Sequence, residues 1–307
     1  MILRVFHWDH QHGQAAVWPR ATVAIGKKPT LGRWAAGLLV ALFILFSPSP
    51  VRADDDGAPG STNRERRPIE ELFKTDVVYP QELGELQVEL ASAYQHHAGG
   101  DTWTMPVSLE YGLTDNWQVE AAWDALVQRF PQHQSVVRGV GDLEVGTQYS
   151  FMHIGGSLFH IAPRFTMKVP LGDVNQGLSE GFLAYEPALI LARDFPELHR
   201  TQFFAEMGAS FVQRLNTPAA AADVRPAAHE LNWGSGFFVL FAHAAATMEF
   251  NWANNTWNHH GTENDMYLTP GCLWRARRNM EIGMGIPVGL NRGSDRFEVI
   301  AHVVWEF

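Results

Sequence analysis

Beyond residue 53 this chain has no long apolar run. The longest uninterrupted stretch there is Phe237-Phe238-Val239-Leu240-Phe241-Ala242, whereas a helix that crosses a bilayer needs about 20 apolar residues. Any contact of this part with lipid therefore has to be made by alternating strands. Cysteine is almost missing: the single Cys272 excludes an intramolecular disulfide and a cysteine-rich metal site. Basic residues are scarce as well. Six of the 23 (Arg4, Arg20, Lys27, Lys28, Arg33, Arg52) and one of the 33 acids (Asp9) fall within the first 53 positions. The remainder has 17 bases against 32 acids, a net charge of −15. Such a surface repels nucleic acid, so no nucleic-acid partner is expected.

The one apolar segment, Ala35 to Phe46, is too short to span a bilayer comfortably. Lys27, Lys28 and Arg33 precede it, and Val51-Arg52-Ala53 follows with small residues where a signal peptidase needs them. Residues 1–53 thus read as a signal peptide cut before Asp54. A membrane anchor is the other reading, and it leaves the rest of the argument unchanged. Residues 54–83 read as a polar periplasmic tail. Within it, Pro68-Ile69-Glu70-Glu71-Leu72-Phe73 suits one short amphipathic helix with proline at its first position. The sequence leaves open whether this piece plugs the structure formed by residues 84–307 or lies beneath it.

From Gly84 onward the dominant period is two, the strand period. In the last segment Phe297, Val299, Ala301, Val303, Trp305 and Phe307 alternate with Glu298, Ile300, His302, Val304 and Glu306. Trp117, Val119, Ala121 and Trp123 alternate in the same way with Gln118, Glu120 and Asp124. Leu143, Val145 and Tyr149 alternate with Glu144, Gly146 and Gln148. Twelve such stretches are expected, at 84–94, 103–112, 117–127, 140–151, 158–169, 181–193, 200–214, 229–241, 243–252, 265–275, 280–290 and 296–307. Most have the roughly 9–11 residues of a tilted membrane strand.

The connections between them alternate long and short, beginning with a long one after the first strand. Outward loops and periplasmic turns alternate in this way in bacterial barrels. The expected fold is all-β: an antiparallel up-and-down transmembrane barrel over 84–307, in the outer membrane. A soluble sandwich or lipocalin-like barrel is the competing architecture. Pro106, Pro163, Pro187, Pro270 and Pro287 fall inside these strands and cannot donate to a ladder, so bulges are expected there.

The closing Trp305-Glu306-Phe307 is similar to the recognition signal of outer-membrane proteins, which makes Phe307 the candidate assembly signal for the barrel-assembly machinery. Tyr111-Gly112-Leu113-Thr114-Asp115-Asn116-Trp117-Gln118-Val119 resembles the strand–turn–strand signature of the family named for the MetA pathway of phenol degradation. Gly139-Val140-Gly141-Asp142-Leu143-Glu144-Val145-Gly146 resembles that family's strand opening, and Lys168-Val169-Pro170-Leu171-Gly172 the strand end after it. The resemblance covers roughly 84–307. It implies an outer-membrane barrel that transports aromatic or hydrophobic compounds. The Gly-Val-Gly-Asp run opens a strand with no helix behind it, so it is no nucleotide loop.

With the apolar phase set against lipid, the alternate phase lines the lumen. It carries Glu89, Glu110, Glu120, Asp124, Glu144, Glu186, Glu206, Glu249, Glu281 and Glu298, against only Arg164, Lys168 and Arg275. Charged rings in a narrow channel select by sign, so the lumen favours cations or neutral polar solutes. The alternative is that these acids merely pair with the three bases and with water inside a filled barrel. Trp117, Trp123, Trp252, Trp274 and Trp305 form the expected aromatic girdle against outer-membrane lipid headgroups, while Trp103 and Trp257 are placed in loops. The histidine pairs His96-His97 and His259-His260 sit in outward loops with no serine–histidine arrangement beside them. No enzyme activity, no metal and no cofactor are expected. The expected function is passive passage of small solutes, with a structural or adhesive barrel lacking an open pore as the alternative. Oligomeric state is not readable.

Overall fold

The computed structural model describes residues 67–97, 99–132, 135–179, 181–214, 229–255 and 264–307. The expected signal peptide, Trp257, His259 and His260 lie outside the described residues. Twelve antiparallel strands follow one another in chain order and each pairs with the next. They are β1 (Leu86–His97), β2 (Gly100–Thr114), β3 (Trp117–Pro131), β4 (Leu143–Tyr149), β5 (Phe159–Val169) and β6 (Phe182–Phe195). Then come β7 (Thr201–Arg214), β8 (Glu230–Leu240), β9 (Ala244–Asn254), β10 (Asn264–Arg277), β11 (Met280–Gly285) and β12 (Phe297–Glu306). The ring closes between β1 and β12, with Gln87 opposite Glu306 and His96 opposite Phe297. Closure removes both sheet edges, which leaves the strand ladder with no unpaired side.

Two short strands supplement the ring. Val137–Gly139 pairs with the outer part of β3, and Val288–Gly289 with β10 and β12. Prolines stand at several of the irregularities. A register shift falls at Met105/Pro106, pairing of β6 with β7 skips Glu186 and Pro187, and Pro287 separates β11 from Val288–Gly289. Pro163 sits where β5 has already left β4, whose ladder with it ends at Arg164. Each of these four prolines thus borders a gap on one side, whereas Pro270 pairs with Met248 in an unbroken ladder and no bulge forms there.

The two faces differ as the period requires. On the outside Leu90, Leu109, Trp117, Trp123, Phe165, Met207, Met284 and Phe307 are exposed. On the inside Gln87, Glu89, Gln118, Gln148, His160, Thr166 and Glu298 are buried. Trp117, Trp274 and Trp305 lie near the end of the barrel that carries both termini of the strand ring. Trp123 and Trp252 lie toward the other end, Trp252 paired across to Trp233. Trp103 is not in a loop. It stands in β2 opposite Tyr94, its ring N–H donating to Ser92 Oγ at 2.9 Å. The first connection is likewise not long, because β1 and β2 extend toward each other as far as His97 and Gly100.

Residues 67–83 form no helix. They are bends, a turn and irregular backbone, and Arg67 to Gln81 lie inside the barrel rather than beneath it, with Glu82 and Leu83 exposed. Ile69, Leu72, Phe73 and Val78 pack there against Ala93, Ala162, Ile190, Ala192, Phe204, Phe238, Ala245, Leu273 and Ile300 of the inner wall. A helix would satisfy its own N–H groups. Here carboxylates of the wall reach these groups first. The chain leaves the lumen through a turn at Gly84, whose φ of 79° suits glycine, with Gly84 N–H donating to Gly112 O at 2.9 Å.

Candidate functional site

The lumen is the site, and its centre is the inserted segment. The segment visits alternate strands in reverse order. The backbone N–H groups of Glu70 and Glu71 donate to Glu281 of β11, at 3.1 and 3.5 Å. Those of Phe73 and Lys74 donate to the two oxygens of Glu249 in β9, both at 2.9 Å. That of Asp76 donates to Glu206 of β7 at 3.0 Å. On the return, Gln148 and Ser150 donate to the Val78 carbonyl at 3.3 and 2.8 Å, and Gln81 N–H donates to Gln118 of β3 at 2.7 Å. Side-chain acceptors thus replace a neighbouring strand. Hydrogen bonds to a charged group contribute about 1.5–3 kcal/mol each, more than neutral ones.

The thirteen residues expected in the lumen make the following contacts. Glu206, Glu249 and Glu281 hold the backbone N–H groups of the segment. Arg275 of β10 donates to the Arg67 and Pro68 carbonyls, at 3.0 and 3.3 Å, and pairs with Glu70 at 3.2 Å. Arg164 of β5 bridges Asp76 of the segment and Glu120 of β3. Glu298 pairs with Lys74. Glu89 faces His302 Nδ1 at 3.3 Å. Glu110 accepts from Gln81 and Gln118, each at 3.0 Å. Ser210 donates to Glu186 at 2.9 Å. Lys168 stands 3.9 Å from Glu144 and 4.0 Å from Asp142, with Asp124 beside this group on β3. The expected surplus of acid is therefore largely engaged. The inserted segment supplies two bases of its own, Arg67 and Lys74, and its N–H groups answer three more carboxylates.

Glycines make the room. A Cβ at Gly271 would stand 2.1 Å from the Phe73 ring, and one at Gly285 would stand 2.6 Å from it. His302 stacks on the same ring, centroids 5.2 Å apart at 11°. At Gly234 a Cβ would meet Thr75 Oγ1 at 2.8 Å. Inward glycines on β8, β10 and β11 thus form a slot matched to Phe73 and Thr75.

The segment's descending limb is held near the turn end by a polar group. Tyr79 hydroxyl donates to Asp194 Oδ1 at 3.3 Å, and Gln202 donates to the same oxygen at 2.6 Å. His160 Nε2 contacts Asp194 Oδ2 at 2.9 Å while its Nδ1 accepts the His153 backbone N–H at 3.1 Å. His153, His160 and Asp194 lie close enough to hold a metal ion. Both His160 nitrogens are already engaged, which fixes one tautomer and suits a structural latch better than a ligand set. Outside the strands, the buried Glu71 accepts from Gln87 at 2.7 Å. Burial, with Glu110 and Glu89 beside it, pushes its carboxyl well above the usual carboxylate range. Sequence reasoning missed Arg67, Lys74, Asp76, Tyr79 and Gln81. The available signal was the set of apolar residues Ile69, Leu72 and Phe73 in a polar tail, together with glycines on the inward phase.

No family model matches the chain, and no curated protein matches it in sequence. Solved structures do match in fold. An outer membrane channel from Pseudomonas putida F1 superposes with a TM-score of 0.58 at 11% identity, covering 77% of this chain and all of that one. The KdgM porin gives 0.47 at 11% identity, over 72% and 99% of the two chains. The Ralstonia pickettii toluene transporter TbuX gives 0.42 at 12% identity, over 74% and 90%.

Proposed function

We propose that this protein is an outer-membrane channel for passive passage of small solutes, and that the conformation described is its closed state. The observation that carries the reading is one closed ring of strands with an apolar, tryptophan-bearing outer face and a charged inner face. In lipid only helices and closed barrels satisfy every backbone group, and this ring is of the second kind. The fold shared with the Pseudomonas putida channel supports it. The sequence motifs that resemble the MetA-pathway family support membership of that family and aromatic or hydrophobic solutes. Residues 67–83 occupy the path such a solute takes, so conduction requires them to shift. In this reading Trp117, Trp123, Trp252, Trp274 and Trp305 meet the lipid headgroups, Phe307 is read by the assembly machinery, and no catalytic step is involved.

A second reading has one specific observation in its favour. Ile69, Leu72, Phe73 and Val78 form an apolar core with the wall, as a permanently filled structural barrel would. Planar-bilayer recordings separate the two. The mature chain should give small, infrequent steps, and the chain lacking residues 67–82 should give larger, sustained ones that prefer cations. Silence from both folded proteins would leave the structural barrel standing.

A further inference from the structure

The apex of the inserted segment carries a lysine into a site made of acceptors. Lys74 is only 7% exposed, and its ammonium pairs with Glu298, itself 1% exposed. The same nitrogen stands 5.0 Å from the centroid of the Tyr267 ring. Gln95 Nε2 donates to Glu298 at 3.2 Å and fixes that carboxylate, while Gln95 Oε1, in a side chain equally removed from solvent, accepts nothing. Asp295, on the connection leading into β12, is near enough to interact electrostatically with Glu298 and Lys74. Its backbone N–H donates to the Tyr267 hydroxyl at 3.0 Å, which sets the ring.

One ammonium thus meets a carboxylate and an aromatic face, and that carboxylate is held by an amide whose own oxygen is unused. A plain ion pair that pins a loop needs one carboxylate. It needs neither the ring nor a buried oxygen without a donor. A carboxylate beside a tyrosine face is what recognises alkylammonium and quaternary ammonium ions, through charge-assisted hydrogen bonds and cation–π attraction. The segment's only other base, Arg67, sits at the turn end among Glu85, Glu306 and Gln81 with no ring over it.

We propose that this cage is a recognition site for an organic ammonium solute, and that Lys74 is its tethered occupant in the closed state. An amine arriving from the loop side competes with Lys74, and its binding frees the apex of the segment. The gating consequence rests on the channel reading. The binding itself requires no conduction.

The test uses n-butylammonium, which reproduces the end of the lysine side chain, and 1-butanol as its neutral match. In the full mature barrel in detergent, Lys74→Ala empties the cage. Calorimetry should then show n-butylammonium binding at least about tenfold tighter than to the wild type, where the resident lysine leaves only a small fraction of sites free. Butanol should not bind, and adding Glu298→Gln should abolish the effect. A folded Lys74→Ala barrel that binds the amine no better than the wild type, or no better than butanol, overturns the proposal. Should that variant not fold, the readout moves to a Thr75→Cys, Cys272→Ser chain with Lys74 intact. There n-butylammonium raises maleimide labelling severalfold over butanol, and equal labelling with both overturns the idea. Bilayer recordings on the same samples keep the two claims apart. Binding without conductance sinks the channel reading alone, and conductance without binding sinks the cage alone.

Discussion

The barrel wall and the segment inside it solve the same backbone problem in different ways. In the wall, every strand finds its hydrogen-bonding partners on two neighbours, as β1 does with β12 and β2. In the segment, Glu281, Glu249 and Glu206 stand in for a neighbouring strand and take the segment's N–H groups in turn, two, two and one. The wall can be opened only by breaking a ladder. The segment is held by side chains that can be protonated, exchanged or outcompeted. One polypeptide thus combines an enclosure closed by backbone ladders with a filling held by side chains.

The largest expected effect concerns the wall. Val145 lies on the outer phase of β4 and Glu144 on the inner one. Arginine facing lipid costs roughly 2–4 kcal/mol at the midplane and much less in a lumen. Val145→Arg should therefore reduce heat-modifiable barrel on gels, while Glu144→Arg should fold and move ion preference away from cations. The reverse result would mean that the apolar face is not the lipid face. Next comes assembly. Phe307 is 71% exposed, its ring stacked 6.3 Å from Trp305. Deleting it should lower the yield of membrane-inserted barrel severalfold with the segment's seat untouched. Wild-type yield would remove Phe307 from assembly.

The segment should respond to changes the wall ignores. Glu249→Gln sets an amide N–H₂ against one of two backbone donors, and the loss of a charge-assisted bond costs about 1.5–3 kcal/mol. Thr75→Cys, in a chain carrying Cys272→Ser, should then label faster with a maleimide while the barrel remains folded. Unchanged labelling would mean that Glu249 does not hold the segment. The smallest effect is on pH. Glu71 in the seated segment has a raised pKa, so the seated state holds the proton more tightly than the released one. The seat is then firmest below the ordinary glutamate value of 4.5 and loosens as pH climbs through the raised one. Labelling of Thr75→Cys should rise with pH across that window, and Glu71→Gln should flatten the rise. A profile that falls with pH would contradict the sign.

The wall was legible in the sequence because each of its residues faces one of two environments, the apolar outside or the polar inside, and two environments leave a period of two. Strands such as Gly100–Thr114 and Phe297–Glu306 show it directly, and so does the inward phase that holds Glu120, Glu249 and Glu298. The segment was not legible because each of its residues faces something different. Phe73 meets two glycines and a histidine, Lys74 a carboxylate and a tyrosine, and Asp76 an arginine and a glutamate's oxygen. No repeat survives such a series. The helix suggested by Pro68 to Phe73 failed for the same reason, since propensity is overruled where the wall offers better acceptors.

The central claim is that residues 67–83 close the lumen, and a cross-link tests it most directly. A Cβ at Gly234 would stand 2.8 Å from Thr75 Oγ1 and 3.2 Å from its Cγ2, so Thr75→Cys with Gly234→Cys, in a chain carrying Cys272→Ser, should form a disulfide that pins the apex to β8. Single-channel recordings in planar bilayers should show no steps while it is oxidised, and wild-type steps once it is reduced. Equal conductance before and after reduction would show that solutes pass with the segment in place, and the account of its role would fall.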